Sequence, residues 1–303
     1  MLTGPRTPRL AVAAAAVALL LAGCGDGDGK AEPKPKPKPS PEAKETPRPG
    51  DQRVTLTWKG KKRVYAVHAP PSYTPGAKLP LVIAMHPYPS DGTYVAQLTG
   101  LNAKADKEGF LVAYPDGLDQ AYNALICCGA EDDVGFISEM TKRLLNTWQA
   151  DPDRVYATGI SNGADMAYRL AVELPGTLAA IAPVSGGYGG SAAEDAAYMP
   201  KSPVHVATFV GGLDKNYNLM EIGLKTWHKR LECEAGPAVR LKDKVTRTTA
   251  KCRDSSEFVT YRLPDMGHNW PGSEDLTMGA PTAGVNATDV IWEFFKGHPR
   301  KSP

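Results

Sequence analysis

The sequence lacks an excess of charge of either sign. Its 35 lysines and arginines nearly balance 33 aspartates and glutamates, and residues 51–303 alone carry 27 basic and 28 acidic side chains. A protein that binds nucleic acid through its phosphates needs a basic surface, which shows as a clear basic excess. The balanced composition therefore predicts no nucleic-acid partner.

Long hydrophobic runs are scarce as well. The apolar stretch at residues 10–20 is shorter than the roughly 20 residues of a membrane-spanning helix. It follows Arg6 and Arg9 and ends at Leu-Ala-Gly-Cys24, which closely resembles the cleavage site of bacterial lipoproteins. We expect residues 1–23 to be a signal peptide and Cys24 to carry a lipid that anchors the exported protein to the outer side of the cell membrane. The alternative is an ordinary secreted protein with a chance cysteine.

Residues 24–50 lack the apolar side chains of a folded core. Prolines alternate there mainly with lysines, from Pro33 to Pro41. Such a segment favours extended polyproline geometry and acts as a semi-rigid spacer. Since no internal repeat and no second change in composition follow, we expect one domain over residues 51–303.

Cysteine is also rare, and its spacing excludes common metal sites. Apart from Cys24, the chain contains Cys127, Cys128, Cys233 and Cys252. No pair of Cys-x-x-Cys motifs is present, so we expect neither a metal nor another cofactor. An even number of cysteines in an exported domain predicts disulfides, with three pairings open. The simplest bridge joins Cys233 to Cys252, and the adjacent cysteines could form a vicinal one.

Strand-like and helix-like patterns alternate along the domain. An alternating hairpin pattern at residues 53–67 is followed by apolar strand-like runs at residues 79–85, 110–114, 154–158, 178–184, 204–210 and 258–263. Helical spacing occurs at residues 101–107, 133–148, 164–174, 220–231 and 288–295, with Asp133 as the expected N-cap of the second helix. This order predicts an α/β fold: one domain with a mostly parallel, doubly wound sheet.

One motif stands between a strand pattern and a helix pattern. Gly159-Ile160-Ser161-Asn162-Gly163 has the form G-x-S-x-G, in which a tight turn between strand and helix exposes the serine hydroxyl. Ser161 is therefore the candidate nucleophile. The Asn162 N–H lies at the start of the helix, where it can face a developing oxyanion.

A serine nucleophile needs a base and an acid, each from a loop that follows a strand. His268, after the last predicted strand, is the expected base, and Asp214, after the strand at residues 204–210, is the expected acid. Asp265 is closer in sequence to His268, but it is too near on the same loop to present the right angle. Among the other histidines, His205 and His228 fall inside predicted elements and are expected to be structural, and His86 is expected to organise its loop through hydrogen bonds. His68 ends the hairpin, and His298 lies in a polar tail.

The loop after the strand at residues 79–85 is expected to complete the oxyanion hole. Pro87 has no N–H to donate, so the Tyr88 N–H becomes the expected second donor beside Asn162. Aromatic rings near the cleft, namely Tyr88, Tyr122 and Trp270, are candidates for the substrate pocket, although packing is an equally good interpretation.

Longer motifs carry a family resemblance. Residues 132–137, 151–163 and 267–272, read as DDVGFI, DPDRVYATGISNG and GHNWPG, resemble exported esterases of the polyhydroxybutyrate depolymerase-like and feruloyl/acetylxylan esterase-like α/β-hydrolases. The resemblance implies a serine ester hydrolase with Ser161, Asp214 and His268 as its triad and an acyl-enzyme intermediate. It also places Cys127-Cys128-Gly129 on that family's double-cysteine loop. The chain departs from the family at Pro87, where glycine is usual.

Two other functions remain open at the level of sequence. Pro87 and the long tether would also suit a binding lipoprotein on a hydrolase scaffold that has lost activity. A peptidase of the same fold would use the same machinery on amide bonds. The sequence favours an ester substrate, either small or oligomeric.

Overall fold

The computed structural model describes residues 46–300. Its strands are β1 (Gly50–Trp58), β2 (Lys61–Ala69), β3 (Leu81–Met85), β4 (Leu111–Pro115), β5 (Val155–Ile160), β6 (Ala180–Val184), β7 (His205–Gly211), β8 (Glu234–Ala235), β9 (Val239–Arg240), β10 (Thr246–Lys251), β11 (Glu257–Leu263), β12 (Trp270–Pro271) and β13 (Gly279–Ala280). Its helices are α1 (Gly92–Thr99), α2 (Leu101–Glu108), α3 (Asp133–Thr147), α4 (Asn162–Glu173), α5 (Tyr217–Arg230) and α6 (Ala287–Gly297). The predicted signal peptide, Cys24 and most of the predicted linker lie outside the described residues.

A mixed sheet forms the centre of this part of the chain. Its order is β1-β2-β4-β3-β5-β6-β7-β11-β10-β8, with β9 also paired to β10. The run β4-β3-β5-β6-β7-β11 is parallel throughout, while the outer strands on both sides pair antiparallel. Because parallel strands all end at the same edge, the loops that follow β3, β5, β7 and β11 lie along one side of the sheet.

Helices cover both faces of the sheet, as the continuous apolar strands require. Apolar side chains of α3, α4 and α5 pack on one face, including Phe136, Met166 and Trp227. Those of α1, α2 and α6 pack on the other face, where Phe295 stacks on Tyr156 of β5. The α/β fold with a mostly parallel, doubly wound sheet is thereby confirmed.

Several details differ from the sequence expectations. Helix α1 was not predicted, because eight residues are too few to show a clear helical repeat; Asp91 caps it by accepting the Tyr94 N–H. Asp132, not Asp133, is the N-cap of α3, since its carboxylate accepts the Gly135 N–H while Asp133 turns into the core. The short edge strands β8 and β9 were also missed, because their side chains are exposed, and so was the neighbouring Thr-rich β10, whose side chains are mostly polar and only half-buried.

Within residues 46–300, no helix combines the length and the apolar character that a bilayer span requires.

Candidate active site

Ser161 occupies a sharp turn between β5 and α4. Its backbone has φ 56° and ψ −122°, a conformation that L-residues rarely adopt and that indicates a functional constraint. Its N–H donates to the Val184 carbonyl at 3.1 Å, which ties the turn to the neighbouring strand. The predicted strand–turn–helix context of the G-x-S-x-G motif is present in the structure.

The two flanking glycines permit the turn. A Cβ at Gly163 would lie 2.3 Å from the Met85 carbonyl oxygen, and one at Gly159 would lie 2.7 Å from the same oxygen. Both distances are far inside van der Waals contact, so any larger residue would push α4 away from the end of β3. The glycines of the motif therefore let the elbow approach the next loop.

Asp214 and His268 lie against each other after β7 and β11. The distance from His268 Nδ1 to Asp214 Oδ2 is 2.7 Å, and the other carboxylate oxygen accepts the Asn216 N–H at 2.8 Å. The Asp214 side chain is fully buried, while that of His268 is 22 % exposed. Since a carboxylate only accepts, Nδ1 carries the proton and Nε2 is left for another partner.

The loops that carry this pair are joined backbone to backbone. The Gly212 N–H donates to the Leu263 carbonyl and the Leu213 N–H to the Met266 carbonyl, each at 2.9 Å. A Cβ at Gly211 would lie 2.4 Å from the Gly267 carbonyl oxygen, so the close contact depends on glycine. On the elbow side, Ser185, which follows β6, donates its hydroxyl to the Asn269 carbonyl at 3.1 Å. These bonds bring the His268 loop beside the elbow.

The rival acid and the rival bases have other partners. Asp265 points away, into an exposed ion pair with Lys244 at 2.9 Å. His68 lies between Asp51 and Asp106 on the hairpin side of the sheet. His205 and His298 contact each other, and burial lowers the pKa of His228.

His86 braces the loop after β3. Its Nδ1 lies 2.8 Å from the Pro87 carbonyl oxygen, and its Nε2 accepts the Gly117 N–H at 3.0 Å. These partners require the neutral tautomer with the proton on Nδ1. Burial lowers the pKa of His86 and so favours the same neutral form. The structural interpretation of His86 fits this geometry.

The residues predicted for the oxyanion hole and the pocket separate into two groups. Asn162 is buried at the first position of α4, and the Tyr88 side chain is 52 % exposed on the opposite loop. Tyr88 borders a cavity of about 420 Å³ that also includes Tyr94, Thr277 and Met278.

Tyr122 and Trp270 are instead core residues, so the prediction of substrate contacts for them needs correction. Tyr122 is fully buried with its hydroxyl on the Pro115 carbonyl, and Trp270 donates to Thr288.

Both disulfides of the simplest pairing are present. Cys127 is joined to Cys128, and Cys233 to Cys252. The vicinal pair is exposed and lies beside the elbow, because the Asn162 side chain donates to the Cys127 carbonyl at 2.8 Å. The other pair connects the end of α5 to the end of β10.

The sequence interpretation missed Asp165, one helical turn after Ser161. It is 5 % exposed and accepts the Gly187 N–H at 2.8 Å. Burial raises the pKa of its carboxyl to about 7, although that hydrogen bond and the charge of His268 act in the opposite direction. A carboxylate on the inner face of an amphipathic helix was the available signal.

Solved structures of other proteins share this fold. An acetyl xylan esterase from Aspergillus awamori superimposes with a TM-score of 0.61 at 16 % identity, covering 81 % of this chain and 99 % of that one. Sheet order, helical layers and the strand-end loops define an α/β-hydrolase fold. Together with the relatives described next, this fold identifies the protein as an esterase.

Sequence comparison gives the family. The family model Esterase PHB depolymerase matches residues 63–201. NocK from Nocardia uniformis subsp. tsuyamanensis, a protein named as an esterase, is 32 % identical over 283 residues, covering 78 % of this chain and 80 % of NocK. The chain therefore belongs to the PHB depolymerase esterase family.

Other relatives are larger proteins. A bifunctional acetylxylan esterase/xylanase from Neocallimastix patriciarum is 28 % identical over 228 residues, covering 72 % of this chain but only 32 % of that relative. Poly(3-hydroxyalkanoate) depolymerase C from Paucimonas lemoignei is 26 % identical over 178 residues, covering 54 % of this chain and 42 % of the depolymerase. The chain thus spans less than half of each of these two enzymes.

Proposed function

We propose that the protein is an exported serine esterase that cleaves carboxylic esters through an acyl-enzyme on Ser161. The 2.7 Å contact between His268 Nδ1 and Asp214 Oδ2, at the sheet edge where the Ser161 elbow lies, carries the proposal. The contact orients an imidazole whose Nε2 can accept the serine proton. Export rests on the Cys24 signal in the sequence, and the lipid on Cys24 provides the membrane attachment.

The first half-reaction transfers the acyl group to the enzyme. Ser161 Oγ attacks the ester carbonyl carbon while His268 Nε2 takes the hydroxyl proton. The N–H groups of Asn162 and Tyr88 stabilise the negative oxygen of the tetrahedral intermediate. The intermediate collapses with loss of the alcohol, which leaves with the proton from His268. Asp214 stabilises the imidazolium throughout.

Water completes the cycle. His268 takes a proton from a water molecule, whose oxygen attacks the acyl carbon and forms a second tetrahedral intermediate. Collapse returns the proton to Ser161 Oγ and releases the carboxylic acid. The net reaction is ester plus water to acid plus alcohol.

The exposed Tyr88 ring, beside the N–H expected to complete the oxyanion hole, is the residue we expect to contact the substrate. Relatives are named for acetylxylan, feruloyl and polyhydroxyalkanoate esters. We propose an ester of a short acid or of a small aromatic acid, carried on an oligomeric or sugar alcohol.

The test compares residues 46–303 with the Ser161→Ala variant. We expect the wild type to release p-nitrophenol from acetyl and butyryl esters and to be labelled by a fluorophosphonate at Ser161. Wild-type turnover no faster than that of the variant, with no labelling, would refute the proposal in favour of a binding protein. A panel of feruloyl esters, acetylated xylo-oligosaccharides and hydroxybutyrate oligomers would then identify the substrate class, and a peptide substrate tests the peptidase alternative.

A further inference from the structure

Asn162 has two separate connections to the site. Its backbone N–H begins α4 directly after the nucleophile, which is the position of an oxyanion donor. Its side chain is buried and faces the neighbouring loop at residues 122–129, here called the double-cysteine loop. The catalytic contribution of the backbone and the contacts of the side chain can therefore be examined separately.

Every conventional hydrogen-bonding group of the Asn162 amide contacts that loop. Oδ1 accepts the Tyr122 N–H at 2.8 Å, while Nδ2 donates to the Tyr122 carbonyl at 3.1 Å and to the Cys127 carbonyl at 2.8 Å. A planar amide held at both ends cannot rotate, so these bonds restrain the orientation of the residue that follows Ser161.

The double-cysteine loop is itself firmly held. The Asp133 carboxylate accepts the Asn123 N–H at 2.7 Å and forms a buried ion pair with Arg63 at 2.5 Å. The Gly129 N–H donates to the Tyr122 carbonyl at 2.9 Å, which closes the base of the loop. A Cβ at Gly129 would lie 2.6 Å from the Asn123 nitrogen, so the two ends touch.

The disulfide lies near the base of this loop, where Asn123 and Cys128 form an isolated β-bridge. Cys127 provides the carbonyl that Asn162 binds, and the same carbonyl accepts the Ala124 N–H at 3.2 Å. The bond to Cys128 limits the torsions around that carbonyl, because it closes a ring that includes the Cys127–Cys128 peptide. The Cys127 carbonyl is thereby presented to Asn162 in one orientation.

We propose that the Asn162 side chain and the Cys127–Cys128 disulfide are positioning elements for the oxyanion hole. They act through the amide clamp, which keeps the Asn162 N–H aimed at the oxygen of the tetrahedral intermediate. The inference rests on the proposed esterase function. It assigns to the vicinal disulfide an effect on turnover rather than on overall stability.

The first test is Asn162→Ala, which keeps the backbone N–H and removes the clamp. We expect kcat on p-nitrophenyl acetate to fall about 10- to 100-fold with KM changed less than about threefold, since a loosened donor mainly weakens transition-state binding. Affinity for a boronic acid, whose adduct places an oxygen in the oxyanion hole, should fall in parallel with kcat. Unchanged kcat and boronic acid affinity would overturn the proposal.

The second test compares the two disulfides. Cys127→Ser/Cys128→Ser should lower kcat about 3- to 30-fold at nearly constant KM, because only one of the clamp's bonds depends on the disulfide. The matched control, Cys233→Ser/Cys252→Ser, should lower the melting temperature and leave kcat of the folded enzyme unchanged. Equal kcat for both double variants and the wild type would overturn the role of the disulfide.

The outcomes separate this inference from the proposed function. A wild type no more active than Ser161→Ala refutes the esterase proposal, whereas an active wild type with fully active clamp variants refutes only the positioning role. If Asn162→Ala fails to fold, the kcat-to-KM pattern and boronic acid affinity of Cys127→Ser/Cys128→Ser decide the question.

Discussion

The loops on the two sides of the candidate site are held in place by different means. On the side of Asp214 and His268, glycine-containing loops pack backbone against backbone, and the two side chains meet at 2.7 Å. On the oxyanion side, buried polar side chains of His86 and Asn162 connect loops that are distant in sequence. Main chains approach closely on both sides, at Gly163 and at Gly211, but the oxyanion side also relies on the side-chain hydrogen bonds of His86 and Asn162.

Two histidines make this difference concrete, since each follows a strand of the parallel sheet. Both ring nitrogens of His86 are satisfied by backbone groups, and burial lowers its pKa. His268 has a carboxylate on Nδ1 and a partly exposed ring. The partners, rather than the position after a strand, thus distinguish a proton acceptor from a structural brace.

The strongest test of this contrast is His268→Ala. Removing the base should lower kcat by about 10⁴- to 10⁶-fold, leaving the smaller acceleration supplied by the oxyanion hole. Steady-state kinetics on p-nitrophenyl acetate measures the loss. His298→Ala, at the far end of α6, is the matched control and should retain near-wild-type kcat. A His268→Ala enzyme within tenfold of wild type would contradict the assignment.

The next effect concerns the acid. Asp214→Asn should lower kcat about 10²- to 10⁴-fold, because an amide can stabilise the wrong imidazole tautomer and carries no charge for the imidazolium. Asp265→Asn is the matched control. It also replaces an aspartate with asparagine, but the carboxylate that it removes takes part only in an exposed ion pair with Lys244. Its kcat should stay within about twofold of wild type. Loss of activity in the Asp265 variant instead would reverse the assignment of the acid.

An intermediate effect is expected on the oxyanion side from His86→Ala. The Pro87 carbonyl and the Gly117 N–H would both lose a partner, which should cost about 2–3 kcal/mol in the free energy of unfolding. Displacement of Tyr88 should also lower kcat about 10-fold, well short of the His268 effect. Urea unfolding and kinetics measure the two quantities. A kcat loss as large as that of His268→Ala would contradict the structural role assigned to His86.

The smallest effect on activity is expected from Asp165→Asn, whose main consequence is on stability. The folded-state pKa of about 7 lies above the ordinary aspartate value of 3.8, so ionisation of Asp165 opposes folding. The protonated Asp165 carboxyl contributes its whole stabilisation of the folded state below about pH 4, and this contribution is lost as the pH rises through about 7. The free energy of unfolding of the variant, taken relative to that of wild type, should therefore rise by about 2–4 kcal/mol between pH 4 and pH 8.

Urea titrations of both proteins at several pH values measure that gain. Curves of unfolding free energy against pH that run parallel for Asp165→Asn and wild type would show that burial does not raise the pKa of the Asp165 carboxyl.

Local patterns in the sequence sufficed for much of the fold and for the candidate triad. The run of apolar strands predicted a parallel sheet, and the order of Ser161, Asp214 and His268 along the chain placed each after a strand. These predictions work because backbone conformation and burial of whole strands depend mostly on neighbours in sequence. Short edge strands were missed, since their exposed side chains leave no such pattern.

The contacts around the triad were beyond sequence reasoning. The sequence predicted that Tyr122 and Trp270 lie near the site and contact the substrate, yet both rings are buried in the core. Asp133 was expected to cap a helix, and instead it forms a buried ion pair with Arg63 from a strand 70 residues earlier. Such contacts depend on how layers pack, which no local pattern records.

By itself, then, the sequence predicted the chemistry available: a serine on a tight turn between a strand and a helix, and an acid and a base on later strand-end loops. Only the tertiary structure decided the partners of the groups around the triad. It gave both ring nitrogens of His86 backbone partners and connected Asn162 to the Cys127 carbonyl. The physical reason is that hydrogen bonds require atoms within about 3 Å, and only the packed sheet brings these distant residues so close.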